Sequence, residues 1–117
     1  MFIKIWGCRG SVPFFSRDKI AFGCNTTCVQ VVSDEGQSLI FDSGTGIIDL
    51  GARLGPTDAD GQAVHIFFTH FHWDHIQGLP FFQPAYNPRC QIELHGQDPI
   101  TNAFSHQMTT PYFPYPF

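Results

Sequence analysis

Charge is scarce in this sequence: Lys, Arg, Asp and Glu make up 14% of its 117 residues, with six basic side chains against ten acidic ones. A formal net charge of −4 gives no general attraction to nucleic acid or to an anionic membrane, although bound cations can reverse the local field for a phosphate substrate. No apolar stretch is long enough to span a bilayer, and Met1 leads into a strand-like alternation rather than a signal peptide. The expected location is the cytoplasm, with no membrane partner. Cysteine is sparse too. Cys24 and Cys28 have a spacing that some zinc sites use, but no second pair accompanies them. They read as buried thiols in a tight turn, and with Cys8 and Cys90 they are expected to stay reduced. There is no internal repeat and no linker, so the length allows at most one domain, residues 1–117.

Aromatic residues, by contrast, are plentiful. Thirteen Phe are more than one small core needs, which implies apolar surface that continues beyond a single layer. Phe2 to Trp6 alternates as a strand, and Gly7 to Pro13 is a glycine-rich turn. Cys28 to Val32 and Leu39 to Phe41 read as strands joined by the polar loop Ser33-Asp34-Glu35-Gly36. Ile47, Leu50 and Leu54 recur at helical spacing until Gly55-Pro56, and Thr57 to Gln62 is a polar loop. Val64 to Thr69 is a buried strand, and Gln91 to His95 alternates as another. The prolines at 80, 84 and 88 restrict Gln77 to Pro88 to a short helix or wide loop. Thr110 to Phe117 is neither ordinary helix nor central strand.

The strongest chemical signal is His70-Phe71-His72-Trp73-Asp74-His75, three imidazoles and a carboxylate where a strand ends. Zinc and similar first-row ions favour such nitrogen and oxygen donors. If the chain stays extended past Thr69, His70 and His72 point to one side and can clasp one ion. Asp74 and His75 follow the turn and face a second ion. A solvated histidine-rich loop is the alternative.

This hexapeptide resembles the H-x-H-x-D-H signature of the metallo-β-lactamase-fold hydrolases. Lys4 to Pro13 is similar to the first strand and turn of the family's phosphodiesterase and tRNA-processing branches. Phe22-Gly23-Cys24-Asn25-Thr26-Thr27-Cys28 resembles their Asn-Thr-Ser/Thr-Cys segment. Phe41-Asp42-Ser43-Gly44-Thr45-Gly46 resembles the Asp-x-Gly-x-Gly turn, and Gly78 also matches.

The resemblance implies an α/β fold: the first half of an αββα sandwich, with a mixed, strand-rich sheet and few helices. It implies a hydrolase, most readily of phosphodiester bonds in a small-molecule or nucleotide substrate, using hydroxide held between two zinc ions, with manganese or iron as alternatives. His70 and His72 would hold one ion, Asp74 and His75 the other. Asp74 is also the candidate catalytic carboxylate, with ligation preferred, since a carboxylate tied to a metal is a poor base. Asp42 would orient the ligands by hydrogen bonding, serve as a helix N-terminal carboxylate, or do both at once. Gly44 and Gly46 would let the backbone pass close beneath. Asn25 and Thr26 would line the phosphate end or stabilise the turn, with the turn role preferred.

His65 reads as a surface or core-edge residue. His95 and His106 could approach a metal, but neither sits in a ligand motif. The family's site also needs a further His, a bridging Asp and a final His from a second half that these residues do not contain. A partial domain is therefore expected, weakly active or inactive alone, whose bare sheet face is covered by that half or by self-association. A non-catalytic metal-binding or protein-interaction half-domain is the competing reading. An aspartic-protease-like dimer around Asp42-Ser43-Gly44 is a third, but it leaves the histidine cluster unexplained.

Overall fold

The computed structural model describes residues 1–54, 63–97 and 99–117. Five strands, β1 (Phe2–Gly7), β2 (Cys28–Val32), β3 (Ser38–Phe41), β4 (Ala63–Phe67) and β5 (Gln91–His95), form one sheet in sequence order. β1, β2 and β3 are antiparallel, whereas β3, β4 and β5 run parallel. The polar loop makes the expected hairpin, closed by Gly36 at φ 85°. The parallel step from β3 to β4 requires a crossover, and helix α1 (Gly46–Arg53) lies on that connection. The expected terminator Gly55-Pro56 and the loop Thr57 to Gln62 lie outside the described residues.

The sheet has one dry face. Along the rung Lys4–Gln30–Ile40–Ile66–Leu94, Ile40 and Ile66 are fully buried against Ile47 and Leu50 of α1 and against Phe82 and Phe104. Each such side chain contributes about 1.5–3 kcal/mol of transfer free energy. Gln30 is tolerated in this layer because its amide is satisfied at both ends. It accepts from Trp6 Nε1 (3.0 Å) and donates to Ser38 Oγ (2.9 Å).

The flanking rungs, Ile3–Val31–Leu39–His65–Glu93 and Ile5–Val29–Phe41–Phe67–His95, point the other way, because side chains alternate along each strand. Ile3 and Ile5 are each 64% exposed. Apolar surface thus lies open on this face, which accounts for part of the phenylalanine excess.

Two elements differ from the sequence reading. β4 stops at Phe67 rather than Thr69, because the Thr69 N–H turns to the Asp42 carboxylate instead of a strand partner. Helix α3 (Ile100–Gln107) was not anticipated, although Ile100, Ala103 and Phe104 have helical spacing. Its Phe104 is fully buried and packs on Phe68, with ring centroids 5.0 Å apart. Between β4 and β5 the chain forms the short helix α2 (Trp73–Ile76) and two 3-10 turns, Leu79–Phe81 and Gln83–Tyr86. Among the described residues, no helix is long and apolar enough to cross a membrane.

Candidate metal centre

The site is assembled where the parallel strands end. After β3 the backbone at Asp42 adopts φ 60°, a left-handed conformation that Asp and Asn tolerate better than most residues. Its N–H bonds the Phe67 carbonyl (2.8 Å), while Ser43 N–H reaches the His75 carbonyl (2.7 Å). Gly78 N–H then donates to the Ser43 carbonyl (2.8 Å). The Asp42 turn is thereby laced to the histidine segment from both sides. Gly44 permits this approach: a Cβ there would lie 2.4 Å from the Asp74 carbonyl oxygen and 2.4 Å from Thr26 Oγ1.

Asp42 is 2% exposed, and protein donors occupy its carboxylate. Thr69 N–H donates to Oδ1 (2.9 Å), and the Thr69 hydroxyl lies 3.0 and 2.9 Å from the two oxygens. His75 Nδ1 lies 2.8 Å from Oδ2. His70 Nδ1 contacts Thr69 Oγ1 at 2.9 Å. All these contacts are satisfied together when both Nδ1 atoms carry the proton and the threonine hydroxyl donates to Asp42. Each Nε2 is then left with a free lone pair, the form in which imidazole binds a cation. Asp42 does not cap α1, whose N-cap residue is Thr45. Its saturation also leaves no free carboxylate for a paired-aspartate protease.

The motif's side chains are neighbours. The His70 ring lies 4.4 Å from that of His72 and 4.1 Å from that of His75, centroid to centroid. His75 Nε2 is 3.5 Å from Asp74 Oδ2. The Ser11 N–H donates to that same oxygen (2.8 Å) and holds the Asp74 carboxyl below the usual carboxylate range. Two imidazoles with free Nε2 atoms and an ionised carboxylate make a donor set suited to a divalent first-row ion.

Asn25 and Thr26 are engaged in the turn. Thr26 Oγ1 accepts from Thr45 N–H (2.8 Å), Thr45 Oγ1 donates to Asn25 Oδ1 (3.1 Å), and Asn25 Nδ2 donates to Asp49 (2.9 Å). His106 is exposed on α3, its Nδ1 against the Asn102 carbonyl (2.6 Å). Cys28 is fully buried and Cys24 partly so, and all four cysteines are free. Thr69 and Ser11 escaped notice as site residues. Thr69 acts through a hydroxyl beside the motif and Ser11 through a backbone N–H, which has no side-chain signature.

A second cluster lies on the open sheet face. Among the described residues, one set of three metal-ligating side chains has donor atoms within 4.8 Å of one another: His65, Glu93 and His95. No three residues of the hexapeptide converge that closely.

Residues 21–104 match the metallo-beta-lactamase superfamily. The chain is 37% identical over 82 residues to a ribonuclease Z of Clostridium kluyveri, an alignment covering 67% of this chain and 22% of that protein. It is 37% identical over 75 residues to a ribonuclease Z of Haloferax volcanii, covering 63% and 20%. A ribonuclease Z of Haloarcula marismortui is 35% identical over 81 residues, covering 68% and 22%. The chain therefore spans about a fifth of the length of these curated relatives. No solved structure matches it.

Proposed function

The chain belongs to the metallo-β-lactamase superfamily, and from that premise we propose that it is the metal-holding portion of a phosphodiester hydrolase whose substrate is RNA. The observation that carries this reading is the buried Asp42 carboxylate, which engages His75 directly and His70 through Thr69. A histidine that donates one ring N–H to a carboxylate presents the other nitrogen as an oriented ligand. His70 and His72 would hold one ion, Asp74 and His75 the other; zinc suits these donors, with manganese or iron as alternatives. Bound divalent ions supply such sites with acidified water and with neutralisation of phosphoryl oxygens.

RNA as substrate rests on the relatives' name and on one structural feature. Trp73, 59% exposed within the motif itself, opens with Phe81, Tyr112 and Phe113 onto a groove of about 730 Å³. Aromatic surface of this kind stacks unpaired bases. The proposed compartment is the cytoplasm, where the four free thiols would stay reduced.

The remaining ligands and the cover for the sheet face would come from residues outside this sequence or from a second copy. The open face also favours a second reading, a metal-holding interaction module without catalysis. Hydrolysis of bis(p-nitrophenyl) phosphate separates the two. The first reading expects turnover below about 1 s⁻¹, abolished by EDTA and by His72→Ala. Metal uptake with no turnover, even at concentrations where a second copy can complete the site, supports the interaction module, and turnover that persists in EDTA overturns both.

A further inference from the structure

On the two rungs of the open sheet face every side chain is apolar except three, and those three stand together at the β4–β5 corner. We infer that His65, Glu93 and His95 form a second site for a divalent first-row ion, distinct from the hexapeptide and sharing no residue with it.

The three donor groups converge on one another. His65 Nδ1 lies 3.1 Å from His95 Nε2 and 3.3 Å from Glu93 Oε2, and His95 Nε2 lies 3.9 Å from the same carboxylate oxygen. Donors bound to a tetrahedral zinc at about 2.0–2.1 Å sit roughly 3.3 Å from one another, so two edges of this triangle already fit and the third must close by roughly 0.6 Å. A proton on His65 Nδ1 serves the two edges it faces. It leaves His95 Nε2 and Glu93 Oε2 with lone pairs opposed, whereas one cation satisfies all three atoms.

The surroundings hold the ligands in place. Glu93 and His95 are two residues apart on β5 and share a face, while His65 is the register partner of Glu93 on β4. The Phe67 ring stacks on His95 at 4.4 Å with an interplanar angle of 15°. Gln91 Nε2 donates to Glu93 Oε1 (3.0 Å), which leaves Oε2 for the ion. Ligands carried on paired strands are fixed more firmly than ligands on a loop. The three side chains are 35–40% exposed, and His65 and His95 line a groove of about 500 Å³ with Leu39 and Phe67. Two imidazoles and one carboxylate with open positions suit zinc or iron(II) among the first-row ions.

Cobalt(II) titration of the 117-residue chain, followed by visible absorption, tests the assignment. A variant carrying His70→Ala, His72→Ala and His75→Ala should retain one equivalent of cobalt, and adding His65→Ala and His95→Ala should remove it. Glu93→Gln in the triple variant should weaken binding at least about tenfold. In the otherwise native chain, His65→Ala with His95→Ala should lower cobalt content by one equivalent without changing the far-UV circular dichroism. Failure of a folded triple variant to bind cobalt overturns the site. Indifference of the triple variant's cobalt affinity to Glu93→Gln does the same, because the carboxylate would then not be a ligand. If the triple variant loses its fold, an unchanged cobalt content in the His65→Ala, His95→Ala chain overturns the site instead.

Discussion

His75 Nδ1 lies 2.8 Å from Oδ2 of Asp42, a residue 33 positions earlier whose carboxylate is almost entirely buried. This contact joins the end of β3 to the histidine segment and leaves the other ring nitrogen beside Asp74. Asp42→Asn keeps the shape and tolerates the positive φ, but it weakens the acceptor. Metal affinity should fall by about 10–100-fold with the fold intact. Asp42→Ala strands the Thr69 N–H and the His75 ring and should cost about 1–3 kcal/mol of stability. Zinc titration calorimetry and urea unfolding measure the two effects separately. Equal zinc affinity in Asp42→Asn and native protein would remove Asp42 from the site.

Gly44 is the point at which three backbones meet, and a Cβ there would strike the Asp74 carbonyl oxygen and Thr26 at 2.4 Å. Thr26 has no room to move, because it is fully buried and pinned by Thr45. Gly44→Ala is expected to destabilise by at least about 1–3 kcal/mol and to displace α2. Thermal unfolding, together with the loss of metal uptake at the hexapeptide, checks both consequences.

Burial pushes the Cys28 thiol up to about 12, with the nearby Asp42 charge adding to the effect. Cys8, in contrast, is exposed. At pH 8 a thiol reagent should label Cys8 first and reach Cys28 only on unfolding. The sign of the pH dependence follows. The unfolded thiol ionises near 9.0 while the folded one stays protonated, so this contribution to stability is complete below that pH. It should be lost progressively as pH rises towards 12. Mass mapping of alkylated cysteines and a pH series of urea midpoints test the two statements.

Much of this structure could be read from residues whose signal is local. Alternation marked β1 and β5, and the H-x-H-x-D-H spacing marked the candidate site, because both depend on near neighbours in sequence. What escaped depends on register. His65 looked like an isolated core-edge residue, and Glu93 carried no motif at all. They meet His95 because β4 pairs with β5 in one frame, and a slip of one residue would separate them. The Asp42–Thr69–His70 contacts were hidden for a similar reason: the middle member is a hydroxyl that reaches both partners only because the strand ends early. Helix α3 had readable spacing, but it lies in a stretch whose prolines and aromatics drew attention to the tail.

Trp73 projects from the metal motif with most of its ring in solvent. If RNA is the substrate, Trp73→Ala should weaken binding of a single-stranded oligoribonucleotide by about 1–3 kcal/mol while leaving zinc affinity unchanged. Fluorescence anisotropy in EDTA and in zinc separates stacking from metal contact. Unchanged affinity would shift the RNA contact elsewhere on the molecule.

The open sheet face makes the last prediction. Ile3 and Ile5 project from β1 beside Val31 and Val29, on the side that no helix covers among the described residues. A contiguous apolar surface of this kind drives association unless something packs on it. Sedimentation of the chain should therefore show concentration-dependent self-association, which Ile3→Lys with Ile5→Lys should suppress. Both positions are already mostly exposed, so these changes should each alter stability by no more than about 0.5 kcal/mol. They leave the backbone N–H and C=O groups of the β1 edge intact. Loss of association would therefore identify the face, whereas persistence would point to edge-to-edge pairing of β1.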